Sequence, residues 1–212
     1  MYRIVYSMFI SFLLFSCKPE PRADLPYYNT PDFTPQFLSS GEAVNKSVSH
    51  QIADFSFTNQ DGKLITQKTI EGKIHVADFI FTSCGSICPV MTDHLQKLSN
   101  AFNNDSNLVL LSFTVTPWID SVARLKKYVT AKNIINPNWH FLTGKQSSIY
   151  HLARTSYFAE EDIGFTKDST EFLHTEHILL VDKNKRIRGI YNGTLALEVE
   201  QLIKDIEVLK KE

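Results

Sequence analysis

An α/β fold, with one sheet covered by helices, is what this sequence predicts, and three observations carry the prediction. Strand-like and helix-period segments alternate from about Ile52 to the C-terminus. Leu108 to Val115 is an unbroken β-rich run, the pattern of a strand buried on both faces. A pair of cysteines, in Cys84-Gly85-Ser86-Ile87-Cys88-Pro89, stands directly between a strand-like run and a helix-like one. The 212 residues are 43% hydrophobic, enough for one well-buried core and too few to require two domains. The formal net charge of -1, from 22 basic against 23 acidic residues, argues against a nucleic-acid partner and against a broad electrostatic membrane patch.

Residues 1–17 read as a targeting segment. Arg3 supplies a positive start, and Ile4 to Phe15 is a largely apolar stretch of twelve residues. Spanning a bilayer takes about 20, so the stretch fits a signal sequence instead. It ends in Leu14-Phe15-Ser16-Cys17, which resembles a bacterial lipobox. That resemblance implies a cysteine, Cys17, carrying the lipid anchor, and a domain on the extracytoplasmic (periplasmic) side of a bacterial membrane. Residues 18–47 hold five of the eight prolines and read as a tether that becomes ordered near Leu25-Pro26-Tyr27-Tyr28.

The folded domain is expected over residues 48–212. Ile52 to Phe57 alternates apolar and polar as a half-exposed strand should. Asn59-Gln60-Asp61-Gly62-Lys63 is turn chemistry leading into Leu64-Ile65-Thr66, an N-terminal hairpin. Ile74 to Phe81 reads as a central strand, and Met91, Leu95, Leu98 and Phe102 recur at helical spacing. After the Leu108–Val115 strand, Asp120 is placed to cap a helix whose buried stripe is Val122, Leu125, Tyr128 and Val129. Trp139 to Leu142 is a short strand and Gln146 to Arg154 a helix. Residues 155–173 read as a polar loop, long enough to have a function. His177–Val181 and Ile187–Tyr191 are strands joined through Lys183-Asn184-Lys185. A last helix presents Leu197, Leu202, Ile206 and Leu209 on one face. This order is that of an α/β sandwich of the thioredoxin kind, extended at its N-terminus by a β-hairpin.

In such a fold the cysteine pair lies at the C-terminal edge of a central strand, where α/β sites are found. A helix N-terminus favours thiolate, and thiolates there either exchange disulfides or hold a soft metal. With Cys17 assigned to the anchor, Cys84 and Cys88 are the two thiols of the folded part. A bridge across so short a loop would be a poor structural staple. On a helix, residues four apart have Cβ atoms about 5–6 Å apart, whereas a disulfide wants roughly 3.5–4.5 Å; the spacing suits two ligands of one metal better. Pro89 fits the first helical turn. Copper(I) accepts soft ligands, with imidazole nitrogen as a common third. Of the seven histidines, His174 and His177 flank the start of the strand expected beside the cysteine loop. His50, His75, His94, His140 and His151 read as packing or surface residues.

At these residues the chain resembles the Sco/SenC family of copper-binding, thioredoxin-fold proteins that assist cytochrome c oxidase assembly. The resemblance runs from about residue 52 to the C-terminus. It rests on Phe79-Ile80-Phe81-Thr82-Ser83-Cys84 running into Cys88-Pro89. Pro117-Trp118-Ile119-Asp120 with Leu125-Lys126-Lys127-Tyr128, and Asn138-Trp139-His140-Phe141-Leu142-Thr143-Gly144, also carry it. It implies copper as the metal, with Cys84, Cys88 and His174 as ligands. His174-Thr175 fits the register of the family's metal histidine, and His177 ranks second. The family generally has an Asp before the proline, where this chain has Thr116.

The resemblance therefore implies a copper metallochaperone, a carrier and not an enzyme, whose acceptor is the copper site of an oxidase subunit. The enzymatic alternative is an extracytoplasmic thiol–disulfide oxidoreductase, in which Cys84 and Cys88 are the catalytic pair and the partner is a thiol-redox protein. Against it, no proline follows Pro137 to stand opposite the thiols. A peroxidase would need an arginine beside an activated cysteine, and neither Arg124 nor Arg154 is obviously placed for that in the sequence. A copper-dependent signalling role is not separated by sequence.

Overall fold

Backbone polar groups of a strand buried on both faces must be paired on both edges, and its side chains covered. Two such strands form the centre of this protein. The computed structural model describes residues 24–38, 41–103, 105–159 and 175–212. In chain order the elements are β1 (Tyr27–Tyr28), β2 (Pro35–Gln36), α1 (Gly41–Ser47), β3 (Ser56–Asn59), β4 (Leu64–Thr66), α2 (Gln67–Ile70) and β5 (Ile74–Ile80). They continue as α3 (Ile87–Ala101), β6 (Leu108–Thr114), α4 (Val122–Ala131), β7 (Trp139–Thr143), α5 (Gln146–Thr155), β8 (His177–Val181), β9 (Ile187–Asn192) and α6 (Ala196–Leu209). Cys17 with the whole signal segment, and His174, lie outside the described residues.

Among the described residues the strands form one sheet in the order β2-β1-β9-β8-β5-β6-β7-β3-β4. β5, β6 and β7 run parallel, and the outer strands on both sides are antiparallel. Every residue of β5 and of β6 is buried. Side chains of β5 alternate between two apolar clusters. Val76 and Ile80 join α3, α4 and α6 on one face, while Ala77 and Phe79 join α5 on the other. This is the expected sandwich, with the β3–β4 hairpin at one edge.

Three local readings are corrected. Asp120 does not cap α4: Ser121 does, accepting the Arg124 backbone N–H at 3.3 Å. Leu197 is 78% exposed, because it lies off the stripe Val199, Leu202, Ile206 and Leu209 that faces the core. The residues following α5 do not begin a polar loop, since Tyr157, Phe158 and Ala159 are buried in the core.

The segment read as a tether is built into the fold from Leu25 onward. Leu25 and Val44 are buried, and Tyr28 pairs with Ile187 at the start of β9. Arg188 holds this segment. Its guanidinium, 2% exposed, donates to the carbonyls of Pro26 (3.1 Å) and Leu25 (2.8 Å) and pairs with Glu212 at 2.6 Å. It also lies 4.0 Å from the centroid of the Tyr27 ring. One buried cation thus ties both ends of the described chain to the sheet. Breaking a buried, hydrogen-bonded ion pair from one side leaves a charge without its partner. Arg188→Gln is expected to lower the unfolding free energy by about 3 kcal/mol, read from urea denaturation of the full chain.

Candidate metal and thiol centre

The centre is built where β5 leaves the sheet. Parallel pairing sets Ile80 opposite Thr114, so the loops after β5 and β6 emerge side by side. The β5 loop carries Thr82, Ser83 and Cys84 and then enters α3, whose residue before the first turn is Ser86. Cys88 and Pro89 fall in that first turn, as Pro89 predicts. Cys84 does not belong to the helix, so the helical spacing argued for two metal ligands does not describe this pair. Both cysteines nevertheless meet one apolar cluster, Cys88 as a member of it and Cys84 packed against it.

The thiols sit in opposite environments. Cys88 continues the α3 stripe Met91, Leu95 and Leu98 one turn toward the N-terminus and is 3% exposed. Burial pushes its thiol up to about 12; a bond from the Phe81 backbone opposes this, and Cys84 and Asp78 reinforce it. Cys84 is half-buried. Burial would raise its thiol too, but the backbone N–H groups of Cys88 and Ser86, with the side chains of the same two residues, outweigh it and bring it down to about 7. Ser86 makes no side-chain capping bond. The helix N–H groups that a cap would satisfy therefore turn toward sulfur, which is how a helix N-terminus stabilises an anion.

Two carboxylates flank the pair. Asp78 is 2% exposed in β5, on the same sheet face as Cys88. Its Oδ1 accepts the Ser112 hydroxyl at 2.5 Å, and Ser112 in turn accepts the Trp139 indole N–H at 2.9 Å. Its Oδ2 has no hydrogen-bond partner among the described residues. Burial pushes this carboxyl up to about 7, with the Ser112 bond opposing. Asp120 has no exposed surface. It accepts the Thr82 backbone N–H (3.1 Å) and the hydroxyls of Thr82 (2.5 Å), Thr114 (2.6 Å) and Thr116 (2.9 Å). Arg124 closes the cluster, 3.4 Å from Asp120, with Nε donating to Thr82 Oγ1 (2.7 Å) and Nη2 to Ser83 Oγ (2.9 Å). Sequence reasoning set Arg124 aside; the structure puts it against the thiol loop. Arg154 lies elsewhere, over the Tyr150 ring.

Cys84 and Cys88 stand at the same sheet edge, between the end of β5 and the first turn of α3. The antiparallel register of β8 on β5, with His75 opposite Val181 and Ala77 opposite Leu179, runs the start of β8 toward the loop of Cys84. Thr175, just before that strand, is buried. His177 stands edge-on to Phe33, 5.9 Å between ring centroids, on the face opposite Cys88. Four other histidines have structural partners: His50 with Ser156 O, His75 with Tyr157 Oη, His94 with Gly193 O and His140 with Asn59. His151 is exposed. A soft pair of sulfurs, one of them ionised near neutral pH, is a donor set that fits copper(I).

Comparison with known proteins agrees with this chemistry. The SCO1/SenC family model matches residues 44–211. A Bacillus subtilis SCO1 protein homolog is 33% identical over 171 residues, covering 79% of this chain and 86% of its own. A SCO1/SenC family lipoprotein from Bacillus anthracis superposes with a TM-score of 0.66 at 28% identity, over 77% of this chain and 96% of that one. BsSco, a Sco-family cytochrome c oxidase assembly protein with a disulfide switch, gives 0.64 at 30%, over 76% and 94%. Bradyrhizobium japonicum ScoI with copper bound gives 0.60 at 25%, over 76% and 99%.

Two outcomes follow from the environments. Iodoacetamide at neutral pH is expected to label Cys84 well before Cys88, with the Cys84 rate rising through a midpoint near pH 7; mass spectrometry of the labelled peptide checks it. Asp78 acts on stability. Its folded-state pKa is raised, so between pH 4 and pH 7 the unfolded chain ionises while the folded one keeps its proton, and stability falls as pH rises. Asp78→Asn is expected to gain stability at pH 8 relative to pH 4, up to about 4 kcal/mol at about 1.4 kcal/mol per unit, read from denaturation curves at the two pH values.

Proposed function

This chain belongs to the SCO1/SenC family, and from that membership and its two unlike thiols we propose that it is a copper metallochaperone serving the copper site of a cytochrome c oxidase. The observation that carries the reading is the sulfur pair itself: Cys84 ionised near neutral pH at the surface, Cys88 buried behind it. The ionised sulfur is the first to meet an incoming soft cation. Binding the second sulfur expels the Cys88 proton, so the ion is held partly by a reluctant donor. A donor set of that kind suits a carrier that must release its cargo. The copper bound to Bradyrhizobium japonicum ScoI and the oxidase-assembly role of BsSco's family support the choice of cargo and acceptor. His174, which precedes Thr175 in the sequence, is the proposed nitrogen ligand. Cys17 is the proposed lipid attachment, holding the domain on the extracytoplasmic side of a bacterial membrane; the lipoprotein from Bacillus anthracis supports it. No helix among the described residues is long and apolar enough to cross a membrane.

The same asymmetry favours a second reading, reduction of an acceptor disulfide. The Cys84 thiolate attacks one acceptor sulfur, forming a mixed disulfide and releasing the other as thiolate. Cys88 then loses its proton and attacks Cys84 Sγ, releasing the second acceptor thiol. The acceptor gains two electrons and two protons, one proton from Cys88 and one from solvent, and this chain ends as the Cys84–Cys88 disulfide. A reduction potential for that disulfide more oxidising than the acceptor's would rule out this direction of flow.

For the copper reading, competition titration with copper(I) separates the outcomes. Cys84→Ser or Cys88→Ser is expected to weaken binding on the order of a hundredfold, about 2.8 kcal/mol at 1.4 kcal/mol per decade. His174→Ala is expected to abolish the thiolate-to-copper(II) absorption band. Unchanged affinity in both cysteine variants would sink copper as cargo; an unchanged band would remove His174 from the site.

A further inference from the structure

We infer that the cleft between the β8–β9 turn, α1 and the N-terminal segment binds a phosphate group, through the guanidinium of Arg186 and the ammonium of Lys183. The site stands apart from the thiols and does not depend on the copper reading.

Strand direction sets its place. β8 runs antiparallel to β5, with Val181 opposite His75, so the turn from Asp182 to Arg186 lies where β5 begins. That turn is held from within. Asp182 Oδ1 accepts the backbone N–H groups of Asn184 (2.8 Å) and Arg186 (2.9 Å), and the Asp182 N–H donates to Arg186 O at 2.9 Å. Against it opens a cleft of about 420 Å³ whose lining includes Asp24, Tyr27, Asn45, Lys183 and Arg186. A volume of that order is typical of small-ligand sites.

The charges around this cleft do not all find partners. Arg188 is matched, with Glu212 at 2.6 Å and Asp182 at 3.6 Å. Lys185, on the same turn, pairs with Asp54 at 3.2 Å. Arg186 is different. It is 8% exposed, yet its guanidinium makes no ion pair among the described residues. Its Nη2 donates to Asn45 Oδ1 at 2.7 Å, while Nε has no hydrogen-bond partner. A guanidinium keeps its proton at any working pH, and a buried charge without a counter-charge is costly. Lys183 is exposed beside it and also makes no ion pair among the described residues. Asp24, the remaining carboxylate of the lining, is exposed as well. A planar fork and an ammonium at one cleft, both without anionic partners, complement the several oxygens of a phosphate.

The cleft also lies near the proposed anchor. Asp24 belongs to its lining, and Leu25 stands eight residues after Cys17. A lipid on Cys17 keeps Leu25 within about 28 Å of the membrane, the extended length of that stretch. A lipid headgroup and a soluble phosphate compound offer the same chemistry here, so the source is decided by experiment.

Two probes serve, inorganic phosphate and vesicles of phosphatidylglycerol mixed with phosphatidylcholine, both with the full chain at constant ionic strength. Phosphate, but not chloride, is expected to shift the Arg186 Nε–H resonance in a saturable way. By calorimetry, Lys183→Gln is expected to weaken phosphate binding roughly tenfold, the effect of losing one charge-assisted hydrogen bond, and Arg186→Gln to abolish it. Vesicle co-sedimentation that falls in Arg186→Gln and is competed by free phosphate assigns the group to a lipid headgroup. Vesicle binding equal in wild type and variant, with the phosphate titration intact, assigns it to a soluble compound. A resonance that phosphate does not move, or equal phosphate affinity in wild type and variants, would overturn the inference. If Arg186→Gln does not fold, the wild-type titration and Lys183→Gln still decide. Neither probe involves the thiols, so copper binding stands or fails independently of both results.

Discussion

The parallel pairing of β5 with β6, seven residues in register and buried on both faces, is the constraint from which the functional end of this protein follows. Parallel strands deliver their C-terminal ends to the same edge. With Ile80 opposite Thr114, and Val115 N–H continuing the ladder to Ile80 O at 2.8 Å, two loops leave the sheet as neighbours. One carries the thiols and the other carries Asp120. A carboxylate with no exposed surface needs hydrogen bonds to its charged form. The donors within reach are the hydroxyls at the ends of both strands and the backbone of the thiol loop. The pairing of two core strands thereby becomes a restraint on a surface loop.

At the centre itself, two effects compete on each sulfur and different ones win. Desolvation acts on both and raises both. Cys84, outside the helix, collects N–H groups that overcome it; Cys88, inside the first turn and on the apolar stripe of α3, is left with burial dominant. Four residues of sequence thus separate a nucleophile from a protected thiol. Metal carriage and disulfide reduction both make use of this difference, which is why one arrangement of side chains supports both readings.

The two ends of the described chain are handled at the other pole. β1 meets β9 at Ile187, and β9 runs parallel to β5, since both are antiparallel to β8. The N-terminal segment therefore joins the sheet where β5 begins, while the thiols stand where β5 ends. Seven strand residues separate those ends, about 23 Å at 3.3 Å per residue. Arg188 secures the attachment by spending its donors on Leu25, Pro26 and Glu212, so the segment reaches the core before any tether can begin.

Periodicity and local chemistry were enough to place the elements from β3 to α6 apart from α2, since burial on one face or two leaves a direct trace in the spacing of apolar residues. They were also enough to pick out Cys84 and Cys88, because a thiol pair between a strand and a helix has few other uses. The sequence could even have separated the two thiols: Cys88 lies three before Met91, on a stripe already read as buried. What it could not show is anything carried by few residues with no period. β1, β2 and α2 are two to four residues long, too short for a period to register; β1 is completed by β9 far along the chain, β2 by β1 and α2 by the Thr66 capping box. Asp120 next to Ser121 read as a cap because both are good capping residues locally. Its partner Thr82 is joined to it only when β5 and β6 pair, whereas Arg124 stands four residues on in the same segment. Composition and spacing determined that this chain makes a sandwich with two thiols at a strand end; the assembled sheet decided which thiol is ionised, which carboxylate is buried and what holds the loop, because those depend on distances between residues that the chain itself keeps far apart.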